Sequence, residues 1–139
     1  MKFHETPVKV RFNEVDSYNV AWHGHYVAWM EAGRNDVAGR FGLNADQVTN
    51  LGFFAPVVSL ELHFKKPARF DEDLRVLTSV RRTNTATIEF TCSIVDACGV
   101  SCAEGKTVHV LTDRDGVLQY RLPPIVAERL EKLMAYLAD

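Results

Sequence analysis

One long run of helical periodicity constrains the fold of this chain more than any other feature. Across residues 23–41, apolar or small side chains recur at spacings of one, three and four and so lie along one stripe of a helix: Tyr26, Val27, Met30, Gly33, Val37, Ala38 and Phe41. The spacing predicts a helix of about 19 residues, roughly 28 Å long, which ends at Gly42. A stripe of this length needs a wide apolar surface to cover it.

Most of the remaining chain is predicted to be strand. Apolar and polar residues alternate in four segments: residues 8–12, 58–65, 74–81 and 87–94. A fifth strand is expected over residues 100–112, where Gly105 indicates the close approach of another backbone. A short helix over residues 44–50, with Asn44 as its N-cap, and a C-terminal helix over residues 125–138 complete the pattern.

The order of these elements predicts the architecture. Successive strands with short connections pair antiparallel, and one long helix can bury its stripe only across the concave side of a curved sheet. We therefore predict an α+β protein with the hot-dog fold, in which a five-stranded antiparallel sheet wraps one long helix, as a single domain over residues 1–139. Open sheet edges favour self-association, so we expect a homo-oligomer: a tetramer, with a dimer as its building unit.

Composition narrows the class of partner. A net charge of −2 offers no basic field for nucleic acid, and no apolar run approaches the roughly 18 residues of a membrane span. The N-terminal residues 1–8 carry no apolar signal region. An odd number of cysteines without CxxC spacing predicts buried, free thiols at Cys92, Cys98 and Cys102, as in a cytoplasmic protein.

Residues 11–26 are the segment that points to chemistry. A strand ends, Asp16 lies in the connecting loop, and His23 follows seven positions later where the long helix begins. The first N–H groups of a helix have no intrahelical partner and attract developing negative charge. A carboxylate across a small gap from such a helix start suits thioester hydrolysis, in which it either attacks the carbonyl carbon or takes a proton from water.

The same segment resembles the family of 4-hydroxybenzoyl-CoA thioesterases and the related short-chain acyl-CoA thioesterases. The matching motifs are Glu14-Val15-Asp16, His23, Tyr26 and residues 31–34, followed by weaker matches at residues 66–68, 71–74, 116 and 123–124. The resemblance implies an acyl-CoA thioesterase in which Asp16 is the catalytic carboxylate. It also implies that the backbone amide of His23 forms the oxyanion hole, with the imidazole lining the site.

Six further residues are candidates for substrate binding. The family often has glycine shortly after the aspartate, whereas this chain has Ser17-Tyr18-Asn19, so two of these side chains are expected to narrow or polarise the acyl pocket. Trp22 is expected to line that pocket, although aromatic residues at a helix start are more often packing. Two arginines suit coenzyme A phosphates, with a solvated turn as the alternative. The candidates are Tyr18, Asn19, Trp22, Tyr26, Arg81 and Arg82.

The sequence leaves alternatives open for individual residues and for the function. Glu31 is expected to pair with Arg34, or else to act as a second acid. We expect no metal, because His23 and His25 point apart on a helix, and no other cofactor, because coenzyme A is part of the substrate. The competing functions are a hot-dog thioester dehydratase and a non-catalytic acyl-thioester-binding protein. The acyl group, and the choice between nucleophile and general base for Asp16, are not determined.

Overall fold

The computed structural model describes residues 2–138. Its helices are α1 (His23–Arg40), α2 (Ala45–Asn50) and α3 (Pro124–Leu137). Its strands are β1 (His4–Lys9), β2 (Phe53–Phe54), β3 (Val57–Phe64), β4 (Asp73–Arg81), β5 (Thr87–Val95), β6 (Ser101–Val110) and β7 (Thr112–Asp113). The predicted helices and the strands at β3 to β6 are confirmed to within one or two residues at each end, whereas the short pair β2 and β7 was not expected.

Five strands form one antiparallel sheet in the order β1-β4-β5-β6-β3, and β2 pairs with β7. Strands β4, β5 and β6 are a meander, as predicted. The expectation that successive strands always pair is wrong for β3 and β4. Strand β1 occupies the free side of β4, so β3 pairs with β6 at the opposite edge instead.

The first strand lies earlier than the pattern at residues 8–12 predicted. Strand β1 covers His4–Lys9, and the chain then curls into a short 3₁₀ turn at Phe12–Glu14. His4 anchors the strand, because its Nε2 lies 2.7 Å from a carboxylate oxygen of Asp36 on α1. The curl is fixed by Glu14, whose side chain accepts the Arg11 N–H at 2.7 Å.

Helix α1 lies against β4, β1 and β5 and buries most of the predicted stripe. One residue outside the stripe is also buried, and one residue of the stripe is partly exposed. Trp29 is buried, whereas Val27 is partly exposed. The contact with the sheet is close at Gly33, where an added Cβ would lie 2.6 Å from Val76 Cγ1. The close approach predicted at Gly105 is also confirmed, because a Cβ there would lie 2.8 Å from the Glu61 carbonyl oxygen.

The core has two clusters along α1. One surrounds the first half of the helix and includes Tyr26, Trp29 and Met30. The other joins the second half to α2 and α3 through Val37, Val48 and Leu133. The start of α1 and the loop before it therefore pack on the same apolar cluster, which includes Ala21 and contacts Val15.

Candidate active site

A short ladder connects the Asp16 loop to the start of α1. Val15 pairs with Ala21, and the Asp16 N–H donates to the Val20 carbonyl at 2.9 Å. The Trp22 N–H donates to the Glu14 carbonyl, also at 2.9 Å. Residues 15–21 thus close on themselves, so that Asp16 and the first turn of the helix belong to one small unit.

The Asp16 carboxylate is half-buried and has one oxygen available. Its Oδ1 accepts the Tyr18 N–H at 2.9 Å, which fixes an Asx turn. Asn19 closes the turn with a φ of +59°, a left-handed conformation that asparagine tolerates. Within residues 2–138, Oδ2 has no hydrogen-bond partner. One oxygen therefore holds the loop, and the other is free to react.

Glu14, two residues earlier, has a different environment. Its two carboxylate oxygens accept the Arg11 N–H at 2.7 Å and the Trp29 indole N–H at 3.3 Å. Because Trp29 is buried on α1, this carboxylate attaches the loop to the helix. The sequence motif placed Glu14 beside Asp16 but did not indicate this structural role.

The start of α1 offers free backbone donors. The helix begins at His23, as predicted. Among the described residues, the N–H groups of His23 and Gly24 have no backbone acceptor, whereas the His25 N–H donates to the Trp22 carbonyl at 3.0 Å. The indole of Trp22 lies against this turn, because a Cβ on Gly24 would overlap it. These donors and the helix dipole favour an anion at this point.

A cleft of about 280 Å³ adjoins the helix start. We call it the helix-start cleft; it is lined by Val20, Ala21, His23, Tyr26, Phe64, Lys65, Lys66 and Pro67. His23 and Tyr26 were predicted site residues. The four residues from β3 and the following loop were not assigned a role, because they lie about 40 positions away in the chain and only part of that segment stood out as a motif.

Tyr26 forms a wall of the cleft and is nearly inaccessible, with 2% of its surface exposed. Its hydroxyl accepts the Ala68 N–H at 3.0 Å, and its ring meets Phe64 edge-on at 5.1 Å. Burial raises the pKa of the Tyr26 hydroxyl above its ordinary value, so the phenol is neutral at physiological pH. Tyr26 therefore shapes the cleft and connects α1 to the loop after β3.

Two lysines line the helix-start cleft. Lys66 forms an ion pair with Asp96, and the hydrogen bond from that pair raises the pKa of the Lys66 ammonium. Lys65 is exposed and has no carboxylate partner within residues 2–138. The unpaired ammonium of Lys65, near free backbone donors, suits an anionic or phosphorylated ligand.

The remaining predicted residues divide into two groups. Tyr18 is 83% exposed, Asn19 belongs to the Asp16 turn, and Trp22 packs on the His23 ring with centroids 4.9 Å apart. Tyr18 and Asn19 thus lie in the loop before α1 and Trp22 is the N-cap of that helix. None of these three residues lines the helix-start cleft, and neither does Asp16. Arg81 and Arg82 lie elsewhere, at the far end of β4, where they pair with Glu89 at 3.7 Å and with Glu131 at 2.8 Å. Within one chain, the structure does not bring the two arginines to the site.

The cysteines do not supply a nucleophile to this site. Burial raises the pKa of Cys92 to about 11 and also raises that of Cys102, so both thiols are protonated at neutral pH. Both are buried, as predicted; the prediction is wrong for Cys98, which lies exposed in the hairpin turn between β5 and β6. Glu31 pairs with Arg34 at 3.5 Å, as expected.

Residues 2–138 contain neither a metal-binding cluster nor a helix suited to cross a membrane. No group of three or more histidine, cysteine, aspartate or glutamate side chains is arranged to hold a metal ion. No helix in that range has both the length and the apolar character that a bilayer crossing requires.

Known proteins resemble this chain both in sequence and in architecture. A family model described as "Thioesterase-like superfamily" matches residues 10–132. A protein of Synechocystis sp. is 31% identical over 95% of this chain and 81% of its own length. The acyl-CoA thioester hydrolase YbgC of Shigella flexneri is 28% identical over 88% of this chain and 92% of its own.

Solved structures agree with the sequence matches. A DHNA-CoA thioesterase from Staphylococcus aureus has a TM-score of 0.86 at 25% identity, covering 97% of this chain and 93% of that one. A hypothetical protein from Thermus thermophilus has a TM-score of 0.84 at 35% identity, covering 94% and 98%. The resemblance identified in the sequence is thus confirmed, and the chain belongs to the thioesterase-like superfamily as a thioester hydrolase with the hot-dog fold.

Proposed function

We propose that this protein hydrolyses acyl-CoA thioesters to the free acid and coenzyme A, with Asp16 as the catalytic carboxylate. The observation that carries the proposal is the ladder of residues 15–21, which connects the loop of Asp16, a half-buried residue with one free carboxylate oxygen, to a helix start with unpaired N–H groups. The match to relatives named as acyl-CoA thioester hydrolases supports coenzyme A as the thiol portion of the substrate.

The helix start supplies the electrostatic part of the reaction. The N–H of His23, assisted by the dipole of α1, donates to the thioester carbonyl oxygen and stabilises the oxyanion that forms. The neighbouring N–H of Gly24 has the same freedom. The imidazole of His23 lines the cleft and contributes to binding.

Asp16 has two possible roles that lead to the same products. As a nucleophile, it attacks the carbonyl carbon and expels coenzyme A thiolate, which takes up a proton; water then hydrolyses the mixed anhydride. As a general base, it removes a proton from water as the water attacks, and the tetrahedral intermediate then expels the thiolate. Trapping an acyl-enzyme in a single turnover with isotopically labelled water separates the two, because only the nucleophile route forms a covalent bond between the acyl group and Asp16.

The protein is proposed to act as a homo-oligomer, a tetramer built from dimers. Support comes from β3, an edge strand whose residues Val58, Leu60 and Phe64 are each about half exposed. An uncovered apolar edge strand is a natural place for a second copy to pair. In such an assembly, Arg81 and Arg82 could contribute to the coenzyme A phosphates only from a different copy.

The proposal includes no cofactor, a cytoplasmic location and no nucleic-acid partner. Neither step of the reaction requires a metal or organic cofactor, because the helix start already polarises the carbonyl. A cytoplasmic location fits three cysteines present as free thiols. The net charge of −2 argues against a nucleic-acid partner.

The test is a free-thiol assay with a panel of aliphatic and aromatic acyl-CoA esters. The proposal predicts stoichiometric release of thiol and free acid from at least one ester. Binding of the esters without thiol release over hours would instead indicate a non-catalytic binding protein. Enoyl absorbance from 3-hydroxyacyl-CoA without thiol release would indicate a dehydratase.

A further inference from the structure

The hydroxyl of Tyr26 is a buried donor that takes no part in the proposed chemistry. Tyr26 is 2% exposed and lines the helix-start cleft. Its oxygen accepts the Ala68 N–H at 3.0 Å, but among residues 2–138 no acceptor receives the phenolic proton. Buried donors in proteins are almost always matched by an acceptor, because an unmatched one costs free energy. The proton of Tyr26 is therefore available for a hydrogen bond to a ligand in the cleft.

The position and the protonation of this hydroxyl are both fixed. The ring packs on Trp29 with centroids 4.9 Å apart and meets Phe64 edge-on at 5.1 Å. The bond from the Ala68 N–H holds the oxygen against the loop after β3. Burial raises the pKa of the Tyr26 hydroxyl, so the group keeps its proton at physiological pH. Tyr26 is thus a preorganised donor, which a ligand meets without having to order it first.

The cleft and the Asp16 carboxylate belong to different parts of the helix start. Asp16 lies in the loop before α1 and does not line the cleft. The cleft is formed by the first turn of α1 together with the end of β3 and the loop that follows. A thioester whose carbonyl is held by the His23 N–H has two arms, the acyl group and the thiol. One of the two enters the cleft.

The polar character of the cleft favours the thiol arm. Besides Tyr26, the lining includes Lys65 and Lys66. A hydrocarbon acyl chain would offer these groups and the phenolic proton no acceptor. The thiol of every acyl-CoA ester carries one close to the sulfur, since two methylene groups and a nitrogen separate the sulfur from the cysteamine amide carbonyl. The cleft therefore matches the thiol arm in its hydrogen-bonding chemistry.

The lengths involved agree with this choice. Tyr26 follows His23 by three residues, which is about 4.5 Å along the helix axis. The amide carbonyl carbon lies four bonds from the sulfur, about 5 Å in an extended chain. A thioester held at the start of α1 and extended along the helix thus brings its amide to the level of Tyr26.

We infer that Tyr26 is a specificity-determining residue, whose O–H donates to the cysteamine amide carbonyl of a thiol arm that lies in the helix-start cleft. The inference rests on the proposed function and extends it from the reacting carbonyl to the thiol. It predicts that the enzyme selects thioesters by an acceptor that takes no part in bond cleavage.

Two thioesters of hexanoic acid test the inference. The N-acetylcysteamine ester carries the amide, and the S-pentyl ester has a thiol chain of equal length without it. Each kcat/KM is divided by the rate of alkaline hydrolysis of the same ester, which removes the difference in leaving-group reactivity. For the wild type, we expect the normalised kcat/KM to be about tenfold higher for the ester with the amide, as one hydrogen bond allows.

The variant Tyr26→Phe assigns this preference to the hydroxyl. Phenylalanine keeps the ring contacts and removes the proton, so the two normalised values should become equal. A purely structural role of Tyr26, through the lost acceptor for the Ala68 N–H, would lower both values by the same factor. Tyr136→Phe is the matched control, because it removes a hydroxyl that bonds His4 at 2.9 Å away from the cleft, and it should keep the tenfold preference.

The outcomes separate this inference from the proposed function. Equal normalised values in the wild type would overturn the inference while the proposed function stands, and this result does not depend on the folding of any variant. A preference that Tyr26→Phe retains would overturn it as well. If the wild type releases thiol from neither ester nor from any acyl-CoA, the proposed function is wrong and the inference falls with it.

Discussion

At the residue scale, the two carboxylates of one loop, Glu14 and Asp16, have opposite roles. Glu14 has a donor on each oxygen and is fully occupied in fixing the loop to Trp29, whereas Asp16, in the loop joined to the helix start, keeps one oxygen free. A group with both oxygens engaged holds structure, while a free one can act on a substrate. The sequence identified Asp16 through its position and resemblance, but the role of Glu14 depends on contacts with a side chain 15 residues away.

Gly24 carries a prediction at the same scale. Because a Cβ there would overlap the Trp22 indole, Gly24→Ala must displace that ring from the first turn of α1. We expect kcat/KM to fall about tenfold, while the unfolding temperature stays equal or rises, since alanine favours helix over glycine by about 1 kcal/mol. Enzyme kinetics combined with thermal unfolding measures both effects. Unchanged kinetics would show that the position of Trp22 is irrelevant to the site.

At the scale of elements, the sequence is most informative where periodicity is long and local signals agree. Helix α1 follows from its stripe, and α2 from Asn44, whose side chain accepts the Gln47 N–H at 2.9 Å. Strand pairing is less accessible, because alternation at β3 indicates a strand without identifying its neighbour. The cleft residues 64–67 were missed for the same reason: only tertiary pairing brings them to the helix start.

A partly buried hydrogen-bond network joins β1, α1 and α3 and predicts acid sensitivity. The imidazole of His4 forms hydrogen bonds with the Asp36 carboxylate at 2.7 Å and with the Tyr136 hydroxyl at 2.9 Å. The Thr6 hydroxyl donates to the Asp36 carboxylate at 2.9 Å. The hydrogen bond from His4 is the main cause that lowers the pKa of Asp36 below its ordinary value. The network therefore stabilises the fold at neutral pH, and this contribution is lost as the pH falls below about 4, through the lowered pKa.

The variant Asp36→Asn should unfold at a lower temperature than the wild type at neutral pH. The difference between the two should shrink as the pH is lowered below about 4, because the wild-type carboxylate is then protonated. Thermal unfolding at several pH values measures this difference in unfolding temperature. Asp115→Asn, in an exposed turn, is the control and should show no such trend. A difference that is constant with pH would contradict the assigned linkage.

The whole molecule has an uneven surface, because β3, one of the two edge strands of the sheet, carries several half-exposed apolar side chains. Alternation over residues 58–65 predicted a strand with one buried face, but most of β3 is exposed in a single copy. The proposed homo-oligomer would cover the apolar residues there. The sequence pattern favours self-association in kind, whereas the proposed number of copies depends on surfaces that periodicity does not describe.

A charged substitution on β3 tests whether this edge strand is the interface of the proposed oligomer. Leu60→Lys places an ammonium group at a half-exposed apolar position of β3 and is expected to dissociate the oligomer while each copy stays folded. Light scattering coupled to size-exclusion chromatography measures the mass, and circular dichroism checks the fold. Val117→Lys, at an exposed apolar position in a turn, is the control. An oligomer of unchanged mass would rule out β3 as the interface.

The most direct test of the account is the turnover of Asp16→Asn on the best acyl-CoA substrate. Asparagine keeps the oxygen that accepts the Tyr18 N–H, so the loop and the unfolding temperature should be preserved. We predict a loss of about a thousandfold in kcat, in the range of general acid–base catalysis. A folded variant with kcat near that of the wild type would show that the carboxylate of residue 16 does not carry the chemistry.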